Sequence, residues 1–160
     1  MYKFFLVLHI LAVVVGIGSQ TLNGLYAAKA KKLAGPGAGA VMSVNFDVSM
    51  IAEKVIYAIP VLGIILMAIP QSGEHPWKFS QTWIWLSLVL YVIAIGIVHA
   101  VMVPSSKKRM AIGAKLGAGQ GGPADVTEAA SLEQKLATGG MALNLLLVVL
   151  IALMVWKPGF

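Results

Sequence analysis

The sequence predicts an all-α polytopic membrane protein, with four transmembrane helices in an antiparallel bundle. Three observations carry that expectation. The chain of 160 residues is 59% hydrophobic. Its charged fraction is 11%, where an ordinary soluble domain carries about 25%. Its apolar residues fall into four runs, 3–28, 44–70, 80–104 and 131–156, each longer than the roughly 20 residues that cross a hydrocarbon core. Barrel strands are shorter and alternate in hydrophobicity, so runs of this length read as helices, which satisfy their backbone groups internally. A single domain, 1–160, is expected, with loops 29–43 and 105–130 on one side of the bilayer.

The first run has the outline of a signal peptide, with Lys3 ahead of it and Ala28-Lys29-Ala30 after it. It is expected to stay as a spanning helix. Its stretch HILAVVVGIGSQTLNGLYA carries polar groups that lipid disfavours. His9, Ala12, Gly16, Ser19, Gln20, Asn23 and Ala27 recur at helical spacing and share one face. An unpaired polar group in lipid costs several kcal/mol, so this face is expected to turn toward the other helices. Small residues there permit close approach, and Gln20 and Asn23 are expected to bond across the interface. In the last run Glu133, Ala137, Gly140 and Asn144 make a matching face, which predicts the last helix as the partner.

The second run holds Asp47, Glu53 and Lys54, with Pro60 in mid-span where it should kink the helix. Lys54 can snorkel to the surface, which leaves Glu53 as the sharper anomaly. The third run carries His99 and ends at Pro104, before Lys107, Lys108 and Arg109. Beyond it, Lys107 to Leu116 reads as a basic helix on anionic lipid, and GAGQGGP as a flexible turn. Asp125 with Glu128, and Ser131 with Gln134, are candidate caps for the last helix. GAGQGG formally matches GxGxxG, but it follows no strand and lacks a phosphate-loop lysine, so it is no nucleotide site.

Charge gives the orientation. Lys29, Lys31 and Lys32 follow the first span, and Lys107, Lys108, Arg109 and Lys115 follow the third, all on one side. The positive-inside rule makes that side cytoplasmic and puts both termini outside, in a bacterial inner (plasma) membrane. The net charge of +6 is thus a topology signal. No aromatic residues interleave the basic cluster, so no nucleic-acid partner is expected. Trp77, Trp83, Trp85 and Trp156, with Tyr2, Phe4, Phe5 and Phe79, gather at the opposite side as an interfacial belt. The chain has no cysteine, which excludes disulfides, thiolate metal sites and a thiol nucleophile. It also lacks a zincin motif, paired catalytic carboxylates and a serine elbow, so hydrolytic chemistry has no support.

Three functional readings remain. The first is a non-catalytic component of a larger membrane assembly, whose partners are the lipid bilayer and other subunits or further copies of itself, with no catalytic residue and no cofactor expected. The second is a membrane redox protein that binds haem b or a porphyrin through His9, alone or with His75 in the outer loop. Counting from the helix ends separates His9 and His99 in depth by about 20 Å, too far for two ligands of one iron. The third is a small transporter or proton pathway through Glu53 and His99, a carboxylate with an imidazole being the usual composition of an intramembrane proton site. No metal ligands are expected.

FLVLHILAVVVGIG at the start, Pro60 in the second span and TWIWLSLVLYVIAIGIVHAVMVPSSKKR at the third resemble a bacterial family of predicted integral membrane proteins, the domain of unknown function 2269. The resemblance covers essentially the whole chain, and that family has no settled activity to carry over. More distantly, a four-helix bundle with a histidine in its first helix is similar to the membrane protoporphyrinogen oxidase and copper-resistance D families. On that likeness His9 would be the ligand position. After that histidine, this chain continues with VVVGIGSQ, where the oxidase family is tryptophan-rich.

Overall fold

The computed structural model describes residues 1–30, 32–33, 36–69 and 77–159, with the side chains of residues 27 and 36 left aside. It consists of α1 (Tyr2–Ala30), α2 (Pro36–Ala68), α3 (Thr82–Ile97), a π-helical segment (Val98–Met102), α4 (Val103–Gly117) and α5 (Pro123–Trp156). The π segment joins α3 to α4 without a break, so the described residues make four long helices, each apolar enough to cross a membrane.

The helices run past the expected spans. The sequence places 29–43 in a loop, but α2 already begins at Pro36, because proline suits the first turn of a helix. The third helix continues beyond Pro104 to Gly117, and its basic end stands on α5 where an arm lying flat on lipid was expected. Ser131 and Gln134 lie inside α5 and cap nothing. The Asp125 carboxylate accepts the Gly122 backbone N–H at 2.9 Å and so closes the first turn of α5. Gly119, at φ 70°, supplies the left-handed residue of the turn between α4 and α5.

Packing is uneven along the chain. α1 lies along α2, with α5 a minor neighbour, so the expected partnership of α1 with the last helix is corrected: its glycine face meets α2. The reason is shape. A Cβ on Gly16 would sit 2.8 Å from the Ile56 side chain, and one on Gly63 would sit 3.5 Å from the His9 ring. Gly16 is therefore a notch that Ile56 fills, whereas Gly63 stands in ordinary contact with His9. Gly140 of α5 has nothing within 4 Å. The second half of the molecule, α3 through α5, forms its own unit, in which Ile112, Ala129 and Leu132 are buried together.

Two clamps tie the ends. On the basic side, Lys108 pairs with Glu128, Arg109 with Glu133 at 2.9 Å and Lys115 with Asp125 at 2.8 Å, a ladder between α4 and α5. Salt-bridging Lys115 and the Gly122 N–H hold the Asp125 carboxyl below its ordinary range. At 1.5 Å per residue α5 is about 50 Å long against a core of about 30 Å, so this first turn stands outside the bilayer. On the aromatic side, Trp77 donates to the Tyr2 hydroxyl at 3.1 Å and meets Trp83 edge-on at 5.4 Å, with the Lys157 ammonium 4.1 Å over the Trp77 ring. Trp85 and Trp156 face outward, as a belt requires.

Candidate functional site: a polar ladder beside the second helix

Two prolines shape the site. Pro60 has no N–H to give the carbonyl four residues earlier, that of Ile56, and so leaves it unbonded within α2. The Tyr91 hydroxyl of α3 takes that carbonyl at 3.3 Å. Pro104 raises the same difficulty in the third helix, where its ring would press on the carbonyl of Ala100. Ala100 lies within Val98–Met102, where the helix widens and the Val103 N–H reaches back five residues to the Val98 carbonyl. π turns of this kind are frequent at functional sites.

His99 lies in that turn. Its Nε2 is 2.9 Å from the Glu53 carboxylate and 2.6 Å from the Tyr57 hydroxyl, and Tyr57 also bonds Glu53. The Tyr57 and His99 rings are parallel, 8° apart in plane at 6.3 Å. Glu53 is buried at 5% exposure, whereas the His99 side chain is half-exposed at 51%. The carboxylate therefore sits inside the protein and the imidazole opens to its flank. Tyr57 follows Glu53 by four residues, one helical turn, which places both on the same face of α2. Lys54, next to Glu53, is exposed and points elsewhere.

His9 is seated otherwise. Its Nδ1 contacts the Ile59 carbonyl at 3.0 Å, and because a carbonyl only accepts, Nδ1 carries the proton. One ring nitrogen, Nε2, keeps its lone pair. The ring lies beside Gly63. Glu53, Ile56 and Ile59, the α2 residues engaged by His99, Tyr91 and His9, follow at intervals of three, a rise of about 4.5 Å each. The separation of about 20 Å expected between the two histidines is thus too large: the α2 residues they touch are about 9 Å apart along the helix. Counting from helix ends assumes that the ends are level, and these helices differ in length.

The other sequence candidates fall into three groups. Gln20 and Asn23 do not reach across: the Asn23 amide donates to the Gln20 carbonyl at 2.7 Å along their own helix, and Ser19 donates to the Gly16 carbonyl at 2.8 Å. Asn144 is exposed on the outer face of α5. His75 lies outside the described residues, among which no group of three or more His, Cys, Asp or Glu could hold a metal ion. Tyr57 and Tyr91 are the residues that sequence reasoning missed. The signals were present: Tyr57 is one turn from Glu53, and Pro60 implies an unbonded carbonyl that needs a donor.

Fold and composition define a polytopic integral membrane protein of four apolar helices. A family described as "Predicted integral membrane protein (DUF2269)" matches residues 3–158, and the chain belongs to that family. No curated protein and no solved structure matches it.

Proposed function

We propose that the protein carries protons within the membrane, with the Glu53–Tyr57–His99 cluster as the exchanging site. The observation that carries this reading is the buried Glu53 carboxylate 2.9 Å from a half-exposed imidazole. A proton that reaches the other ring nitrogen of His99, Nδ1, from the basic side lets the Nε2 proton pass to Glu53 directly or through the Tyr57 hydroxyl, which touches both. The carboxylate is neutralised when protonated and is stabilised by two donors when charged, so both states are tolerable in a low-dielectric setting. With Ala68 at the outer interface, Glu53 lies about 22 Å from it, beyond the middle of a hydrocarbon core of about 30 Å and so nearer the basic side of the membrane. Uptake is from that side.

The test is proton flux into vesicles that hold the purified protein and a pH-sensitive dye, driven by a potassium diffusion potential. Wild type should exceed Glu53→Gln by about tenfold, since the amide accepts no proton at neutral pH. Equal fluxes would remove the proposal.

A second reading, a component of a larger assembly, is favoured by Asn144. This amide is exposed 12 residues, about 18 Å, from Trp156, which is deep in the hydrocarbon, where an unpaired amide is costly. A helix from another subunit or another copy would supply its partner. In either reading the basic side is cytoplasmic and the membrane is the bacterial plasma membrane. The protein has no native cysteine, so cysteines placed at Lys32, Gly119 and Lys78 report this directly. Outside-only labelling should reach Lys78 alone, and labelling of the other two would reverse the orientation.

A further inference from the structure

Between the third helix and α5, away from the Glu53 site, the outer surface has a groove of about 460 Å³. Its lining changes with depth. Ser131, Lys135 and Thr138 line the end toward the basic side, and Ile97, Val101 and Ala142 line the end toward the middle of the membrane. Gly139 forms the floor, where a Cβ would meet the Met102 sulfur at 2.7 Å. The level of the change is fixed by helix geometry: Lys135 precedes Trp156 by 21 residues, about 31 Å, the thickness of the hydrocarbon core. With Trp156 at one interface, Lys135 is at the other.

The charges nearby are already matched. Lys108, Arg109 and Lys115 are each paired with an acid of α5. Lys135 is exposed and, among the described residues, takes part in no ion pair. A cation at the interface, two hydroxyls within a turn of it on the same helix, and an apolar channel continuing inward match one molecule in three respects. We propose that this groove binds a single anionic phospholipid from the leaflet on the basic side. Its phosphate sits on Lys135 between Ser131 and Thr138, and an acyl chain lies along Ile97, Val101 and Ala142 over Gly139. Charge complementarity commits the site to an anionic headgroup, and the apolar half commits it to a lipid.

Native mass spectrometry of the full chain, released from micelles doped with phosphatidylglycerol or phosphatidylcholine, tests this. Wild type should keep one phosphatidylglycerol per chain, with about a fivefold preference over phosphatidylcholine, as one interfacial lysine implies. Lys135→Ala should lose the preference, and Ala142→Phe should lose the lipid by filling the channel. Lys107→Ala, whose cation is also outside the ion-pair ladder, should keep both. Helix content from circular dichroism identifies any variant that fails to fold, and Thr138→Val then serves in place of Lys135→Ala. Equal retention of both lipids by wild type, an unchanged preference in the folded Lys135 or Thr138 variant, or full displacement by glycerol phosphate without acyl chains would each overturn the proposal.

Discussion

His9 and His99 are both histidines in long apolar helices, yet they are held in opposite ways. His9 makes one bond, to a backbone carbonyl, beside Gly63. His99 makes two, both to side chains that can themselves exchange a proton, on a turn widened by Pro104. A backbone carbonyl cannot change its charge, so the surroundings of His9 fix its tautomer. A carboxylate and a phenol can, so the surroundings of His99 leave its proton with somewhere to go. An intramembrane histidine is thus read from what it touches, since hydropathy treats these two alike.

Five experiments break or sharpen that contrast. The largest effect is expected from Gly16→Leu. The new side chain must enter the space of Ile56, where even a Cβ would come within 2.8 Å, and overpacking of this kind costs about 1–3 kcal/mol. Val14→Leu on the exposed face should cost nothing measurable in thermal unfolding in detergent. Gly16→Leu should also loosen the seat of His9 while the Glu53–His99 contact survives, because the latter joins α2 to the other half of the molecule. Equal melting temperatures for the two variants would mean that the α1–α2 notch does not order the fold.

Next comes Glu53→Leu, which strips His99 and Tyr57 of their shared partner. Intramembrane hydrogen bonds average about 0.6 kcal/mol and reach about 1.7, so a loss of about 1–2 kcal/mol is expected from two of them. The double variant with His99→Leu should lose less than the sum of the single losses. Strict additivity would show that the two side chains do not interact.

The α4–α5 ladder should give less. Arg109→Ala is expected to cost about 0.5–1 kcal/mol, since both members of its pair are about one-third exposed, and the loss should shrink in high salt. The Asp125 carboxyl has its pKa lowered in the folded protein by Lys115. Its contribution is therefore full above the ordinary carboxylate value and fades as the pH falls through the lower, folded one. Unfolding measured from pH 5 down to pH 2 should show that loss in wild type, and Lys115→Ala should show less of it.

The smallest effect is expected for His9→Leu, which removes one bond of about 0.6 kcal/mol. The spectrum matters more than the stability here. From a haem-replete host, wild type and variant should both be colourless, and a Soret band in wild type that the variant lacks would put a cofactor on the free Nε2.

The sequence carried the fold because long uncharged runs have one physical outcome in lipid, and four such runs make four helices. It carried Glu53 and His99 as a pair for a similar reason: two costly groups at one depth gain by meeting. It did not carry the partner of the first helix. Small residues at helical spacing occur in α5 as well as in α2, and the choice rests on which glycine meets which side chain, Gly16 with Ile56 and Gly63 with His9, which periodicity does not encode. Gln20 and Asn23 were misjudged because a spacing of three lets amides satisfy each other along one helix as readily as between two. The π segment was half-visible, since Pro104 could be seen but not how the chain would relieve it.

The widened turn at Val98–Met102 also sets a phase. A π turn accommodates one more residue than an α turn, so everything after it is rotated by about 100° relative to a regular helix. Lys108, Arg109 and Lys115 all lie downstream, and in that rotated frame they meet Glu128, Glu133 and Asp125. Removing one residue from the turn would swing the basic face about a quarter-turn away from α5 and withdraw His99 from Glu53 in the same movement. One inserted residue thus acts as a shared index mark, aligning His99 within the bilayer and the ionic lock outside it.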